Sequence, residues 1–386
     1  MIYADNNGSC PIHPKVIEYL QTRLESGPYA NPNSIHSLGR KMNFGLEKCR
    51  TVCAKILGAK PNQVTFNSGA SEGVSHIFHS ALSDREDSKN IIITSGLEHA
   101  VVANAAKYYA EKRNYTLLYV RSTSDGIIDL PHLKELLTEN KGKVALVALM
   151  AANNETGVIQ PYVEIGKIVH EFDSEYLCDT TQFIGKSSFN FSESNIDYAV
   201  VSGHKVGAII GSGLLLAKNP HLMKPMVFGG AIQEHGIRGG TQNYIGAETL
   251  AVALEVFQSN IDDLKKAHSF RVEFEKNIIA KFPNIVIIGD KVPRLATTTL
   301  ISYPGIHGQA VQIELESNEI FVTTSSACSD NEPATSKVLK SMGIDDKVGR
   351  GIIRISFCMG VSKETYTELE ESLTNAYEKL NKIHSY

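Results

Sequence analysis

A mainly parallel α/β sheet covered by helices, joined to a smaller α/β domain, is the fold class that three features of the sequence predict. From about Asn43 to Ala217 helical patterns alternate with short apolar runs, and such alternation reads as crossover-connected strands in one sheet. A second block of short strands and helices follows a long helical pattern near the middle of the chain. At 386 residues the chain also exceeds the usual span of one hydrophobic core. The division expected is a large domain over 15–255 and a small one built from 1–14 and 256–386.

The strands of the first block are read at QVTFNS, NIIITS, YTLLYV, VALVALM, EYLCD, YAVVSG and SGLLLA. Each is short, rich in branched or aromatic residues and flanked by turn formers, as strands are. A helical pattern, with a break possible inside it, then runs from about Ile245 to Phe282. The strands IVIIG, ATTTLIS, IFVTTSS and GIIRISF follow, with helices at GQAVQIELES and ATSKVLKSM and a terminal helix from near Lys363. No repeat, low-complexity tract or long linker interrupts this order.

Composition narrows the function. The chain is 42% hydrophobic and 21% charged, ordinary for a globular protein. Its 38 basic and 42 acidic residues give a formal charge of −4, and no basic run is present. This argues against nucleic acid or an anionic membrane as the main partner and for a small-molecule substrate. The start, MIYADNNGSCP, has neither a basic n-region nor an apolar h-region, and the longest apolar run, VALVALMAA, is too short for a bilayer. A cytoplasmic protein is expected. The six cysteines form no CxxC and no zinc-like cluster, so no metal site is expected. Cys49 and Cys53 read as small apolar residues of a helix, and all the thiols are expected free.

The chemistry-bearing residues gather at predicted strand ends, where open α/β sheets bind ligands. In VVSGHKVGAIIGSG, Lys205 is either a snorkelling side chain or an amine held neutral by apolar surroundings, as a Schiff-base lysine requires. No other lysine is expected in an equivalent setting. In FNSGASEG the helix beginning near Ser71 offers free amides at Ala70 and Ser71 to an anion, or is simply capped by Ser68 or Ser71. Asp179, in EYLCDTTQF, suits a pyridine nitrogen or a helix cap. His99 could stack on a ring or be an ordinary histidine, and Asn154 could bond a ring hydroxyl or shape a turn. An anion site, an acid, a histidine and a lysine at successive strand ends are together the parts list for pyridoxal 5′-phosphate.

The segments YADNNGSCP, ANPNSIHSLGR, FNSGASEG, LEHAVV, NNETGVIQP, DTTQ, SGHK, FGGAIQEHGIRGGTQN, SSACS and IRISF, in that order across nearly the whole chain, resemble the cysteine desulfurases. These are class V aminotransferase-like enzymes of pyridoxal-phosphate fold type I, and the iron–sulfur-assembly type is the most similar. The resemblance implies that Lys205 carries the cofactor, Asp179 partners the pyridine nitrogen, His99 stacks on the ring, and Gln182 and Asn154 contact its hydroxyl. Ala70, Ser71, Ser202 and His204 match the phosphate cradle. Thr241 matches a threonine that reaches the neighbouring subunit's phosphate, which implies a homodimer. Arg354 and Asn33 match the site for the substrate carboxylate.

Cys328, in VTTSSACSDNEP, matches the nucleophile that takes sulfur from L-cysteine, leaving L-alanine and a persulfide for a protein acceptor, either a scaffold or a sulfur carrier. Iron–sulfur assembly, tRNA thiolation and DNA sulfur modification all start from such a persulfide. A selenocysteine or cysteine-sulfinate lyase, and a non-catalytic partner of a sulfur-transfer complex, are the alternatives on this scaffold. Four departures from the pattern stand out. The segment after Cys328 is short, no Pro-Lys-Gly follows the lysine, Leu177 stands where histidine is frequent, and Cys10 stands where threonine is usual. Cys10 is thus either a second redox-active thiol or a residue without special role.

Overall fold

In the computed structural model, which describes residues 1–83, 88–324 and 335–384, the strands other than a short amino-terminal one fall where the apolar runs place them. They are β1 (Ile2–Tyr3), β2 (Val64–Asn67), β3 (Ile91–Ser95), β4 (Thr116–Val120), β5 (Val144–Met150), β6 (Glu175–Asp179), β7 (Tyr198–Ser202), β8 (Gly213–Ala217), β9 (Val286–Ile287), β10 (Thr298–Ser302), β11 (Ile320–Phe321) and β12 (Ile352–Ser356). Strands β2 to β8 form a seven-stranded sheet in the order β2-β8-β7-β6-β5-β3-β4. All its pairings are parallel except those of β8, which runs antiparallel to both β2 and β7. The fold class read from the sequence is therefore observed, with one reversed strand inside the sheet.

The helices are α1 (Pro14–Ser26), α2 (Ser37–Ile56), α3 (Ala70–Leu82), α4 (Ala100–Arg113), α5 (Leu130–Glu139), α6 (Tyr162–His170), α7 (Tyr244–Ser259), α8 (Asp263–Lys281), α9 (Gly308–Glu316), α10 (Lys337–Ser341), α11 (Asp346–Gly349) and α12 (Lys363–His384). The long pattern after Ile245 does break, between α7 and α8. Because side chains alternate across a strand, Ile92, Leu146, Ala148, Leu177 and Val200 pack on one face of the large sheet against Ile77 and Phe78 of α3 and Val102 of α4. Ile93, Val147, Leu149, Cys178 and Val201 pack on the other, with Leu46 and Cys53 of α2 and Leu250 of α7. Burial on both faces is why β5 reads as an unbroken apolar run.

A separate core lies around the antiparallel sheet β12-β10-β9, where Ile301, Ile353 and Ile355 meet Phe274 of α8 and Leu369, Leu373 and Tyr377 of α12. The amino-terminal strand β1 joins this part of the molecule by pairing with β11. Among the described residues, no helix is long and apolar enough to cross a membrane.

Candidate active site

The carboxyl ends of β2, β3, β5, β6 and β7 point the same way, and a cavity of about 570 Å³ opens there. Ala70, Ser71, His99, Asn154, Asp179, Gln182, Ser202, His204 and Lys205 all line it. A volume of a few hundred Å³ is what a cofactor-sized ligand needs.

The anion cradle is built by close backbone approach. Gly69 precedes α3 with φ 143°, and the helix carries no side-chain cap, so its first amides stay free. Gly213 of β8 permits this arrangement: a Cβ there would stand 2.5 Å from both Gly69 Cα and Val201 O. Neither Ser68 nor Ser71 serves as the cap. The Ser68 amide instead donates to Glu72 Oε2 at 2.9 Å, and Glu72 pairs with Arg238 at 2.8 Å.

Lys205 leaves the sheet on a single 3-10 turn, Gly203–Lys205, directly after β7. Its amine is half-buried and donates to the carbonyl oxygens of Asn7, at 2.6 Å, and Gly8. Burial, reinforced by the Arg354 guanidinium, holds the amine below the ordinary lysine range. Asp179 ends β6, is buried, and accepts the Thr181 amide at 3.0 Å. The Thr181 hydroxyl on the same wall is buried without a hydrogen-bond partner. His99 is exposed at the cavity and caps α4, its Nδ1 accepting the Val101 amide at 3.2 Å. His204 Nδ1 lies 3.1 Å from Ser9 Oγ.

Three residues assigned by resemblance lie outside this cavity. Arg354, in β12, is buried next to it: Nη1 donates to Asn154 O at 2.9 Å and Nη2 pairs with Asp5 Oδ1 at 2.6 Å, while Nε is buried without a partner. Asn33 donates to Gln242 Oε1 at 3.0 Å and is not among the residues that line the cavity. Thr241 lines a smaller cavity of about 160 Å³ that shares Ser68 and Gly211 with the first. Cys328 lies outside the described residues. Cys10 is half-buried with Sγ 3.2 Å from Lys205 O, and burial raises its thiol pKa.

Lys205 is the lysine that stands at a strand end and lines this cavity, but a second lysine is buried beside it: Lys186, seven residues beyond β6, is more deeply buried and bonds Asn7 Oδ1 at 2.6 Å and Gln182 Oε1 at 2.5 Å. The i, i+4 spacing of Gln182 and Lys186 in TQFIGK was the available signal, but only the fold reveals that both converge on Asn7. Glu98 was also missed. It is buried, accepts Ser95 Oγ at 2.7 Å, leaves Oε2 without a partner, and desolvation pushes its carboxyl up to about 8, with Asp179 adding to the shift.

Comparison with known proteins agrees with this architecture. The aminotransferase class-V family matches residues 2–369. A cysteine desulfurase of Nostoc sp. is 34% identical over 384 residues, covering 99% of this chain and 94% of the relative. The cysteine desulfurase IscS of Rickettsia typhi is 32% identical, covering 99% and 92%. A solved NifS-like protein superposes with a TM-score of 0.89 at 30% identity, over 98% of this chain and 100% of that one. SspA, solved in complex with cysteine, gives 0.80 at 27% identity, over 93% and 99%. The chain belongs to the class-V aminotransferase family and, within it, to the cysteine desulfurases.

Proposed function

We propose that this chain binds pyridoxal 5′-phosphate in the 570 Å³ cavity and converts L-cysteine to L-alanine, leaving a persulfide on Cys328. The observation that carries the reading is one cavity holding a half-buried lysine at the end of β7, a buried carboxylate at the end of β6 and the uncapped amides of α3. The orphaned Thr181 hydroxyl supports a polar occupant. When bound, the cofactor supplies an electron sink for charge at the substrate's α-carbon.

The residues divide the work. The first amides of α3, with Ser71, Ser202 and His204, hold the phosphate, while His99 covers the ring. Asn154 and Gln182 bind its hydroxyl. Asp179 keeps the ring nitrogen protonated. Lys205 would anchor the cofactor, and its amine, held below the ordinary lysine range, would take and return the substrate's α-proton. Arg354 and Asn33 receive the substrate carboxylate. The Cys328 thiolate attacks the substrate sulfur, the carbon–sulfur bond breaks, and its electron pair returns to the carbon skeleton. L-Cysteine and one thiol become L-alanine and one persulfide, which balances without an oxidant. A protein scaffold or sulfur carrier then takes the terminal sulfur.

A homodimer completes this reading, since Thr241 stands outside its own chain's cavity. Exposed Ile35, Phe44, Phe228 and Ile232 offer apolar surface to a second copy.

Incubation with L-cysteine tests the function. Wild type should release alanine and gain one sulfur on Cys328 by mass spectrometry. Cys328→Ala should still bind the cofactor and change its spectrum on adding L-cysteine, but release no alanine. Sulfur on Cys10 instead would move the nucleophile to the amino-terminal loop, and alanine formed from selenocysteine by the variant would favour the lyase.

A further inference from the structure

Burying a lysine is costly unless its donors are engaged or its charge is shed. Lys186, at 6% exposed, is the extreme case among the described lysines, and the desulfurase chemistry above gives it no task. It leaves the turn after β6, and its Nζ reaches Asn7 Oδ1 at 2.6 Å and Gln182 Oε1 at 2.5 Å. Asn7 is gripped from several sides. Its amide N–H donates to Ser356 Oγ at 2.9 Å, its Nδ2 to Asn154 O and Thr298 Oγ1 at 3.2 Å each, and its carbonyl accepts Gln182 Nε2 at 2.9 Å. That same carbonyl accepts Lys205 Nζ at 2.6 Å. One asparagine therefore seats two lysine amines, one on its side chain and one on its backbone.

We propose that Lys186 is a positioning residue for Lys205: through Asn7 and Gln182 it fixes the acceptors that seat the Lys205 amine, and its ammonium behind that seat disfavours the protonated form of Lys205. This rests on the reading of Lys205 as the cofactor's anchor. Like charges in a dry site compete, so the pair favours carrying one positive charge over two. The surroundings agree. Burial, then the charge of Lys205, pull Lys186 down to about 7, with Arg354 acting in the same direction and Cys10 and Asp5 opposing. On the Lys205 side, burial and the Arg354 guanidinium are the leading influences that lower the amine, with Cys10, Asp5 and Asp179 opposing, so the contribution of Lys186 is carried chiefly by its hold on the shared Asn7 seat. Through its hold on Gln182, Lys186 also orients an amide that lines the cofactor cavity.

The test is the visible absorbance of the holoenzyme titrated against pH, which reports protonation of the Lys205–cofactor link without turnover. Lys186→Met removes charge and donors; Lys186→Gln removes charge and keeps an amide donor. Both variants should raise the midpoint by about one pH unit, a tenfold gain in proton affinity, and Lys186→Gln serves if Lys186→Met does not fold. A midpoint that stays at the wild-type value or falls in the folded variants overturns the role of Lys186 while leaving the anchor in place. A wild-type band that persists unchanged in Lys205→Ala overturns the anchor itself.

Discussion

Replacing Arg50 by methionine removes a guanidinium that is 1% exposed and fully committed. Its Nη1 and Nη2 grip both oxygens of Glu234 at 2.7 and 2.9 Å, Nη1 also holds Val64 O at 2.8 Å, and the group lies 4.9 Å from the Phe66 ring centroid. Glu234 is 2% exposed, and after the change the donor left to it among the described residues is the Phe66 amide at 2.7 Å. Breaking a buried pair on one side leaves an uncompensated charge and costs about 3–5 kcal/mol, whereas replacing both partners with apolar residues is often close to neutral. Glu234 also has φ 42° and His235 φ 56°, a left-handed stretch that its side-chain bonds help to hold. That stretch leads to Thr241, and β2, which Arg50 and Glu234 brace, leads to the anion cradle. Urea unfolding followed by circular dichroism should therefore show a loss of about 3–5 kcal/mol for Arg50→Met, with weaker cofactor retention, and only partial recovery in Arg50→Met/Glu234→Leu, because the Phe66 amide then loses its acceptor and position 234 keeps φ 42° without the bonds that held it. A loss below about 1 kcal/mol would refute the argument, because the carboxylate would then be finding water or a proton at little expense.

Lys205→Ala should lose both turnover and the borohydride-reducible link; a link surviving on Lys186 would show that the second buried lysine can take its place. Asp179→Ala should retain some cofactor but lose most turnover, and near-wild-type kinetics would remove it from the ring nitrogen. Gly213→Ala puts a Cβ against Gly69 Cα and Val201 O, so it should cost about 1–3 kcal/mol of stability and lower cofactor affinity by equilibrium dialysis; unchanged affinity would mean the cradle tolerates the shift. Glu98 has a folded pKa of about 8, above an unfolded value of about 4.3. It binds more protons when folded, so its contribution is full below about pH 4.3 and is lost as pH rises towards 8. Glu98→Gln should flatten that slope, gaining on wild type by up to about 1.4 kcal/mol per pH unit in the window, read as thermal midpoints at pH 5 and pH 8; a constant difference would contradict it.

Much of the molecule was legible in the order of its residues because the signals are local. VALVALM reads as a strand and FNSGASEG as a turn opening a helix, and Lys205, Asp179, His99 and Asn154 stand at or just past strands whose ends gather once the sheet is parallel. What stayed hidden depends on contacts between distant segments. The antiparallel course of β8 is decided by its pairing with β2 and β7, and its composition does not announce it. Arg354 meets Asp5 across 349 positions. Asn33 and Thr241 carry family motifs, yet the fold of one chain leaves both outside the cavity that holds Lys205. Glu98 looks like an ordinary surface acid until the β3 end closes over it, and Lys186 looks like a solvated lysine until β6 delivers it to Asn7. Periodicity and turn chemistry act over a few residues and so can be read in one dimension; desolvation and charge pairing are set by whatever the rest of the chain brings alongside, and only the tertiary structure decides that.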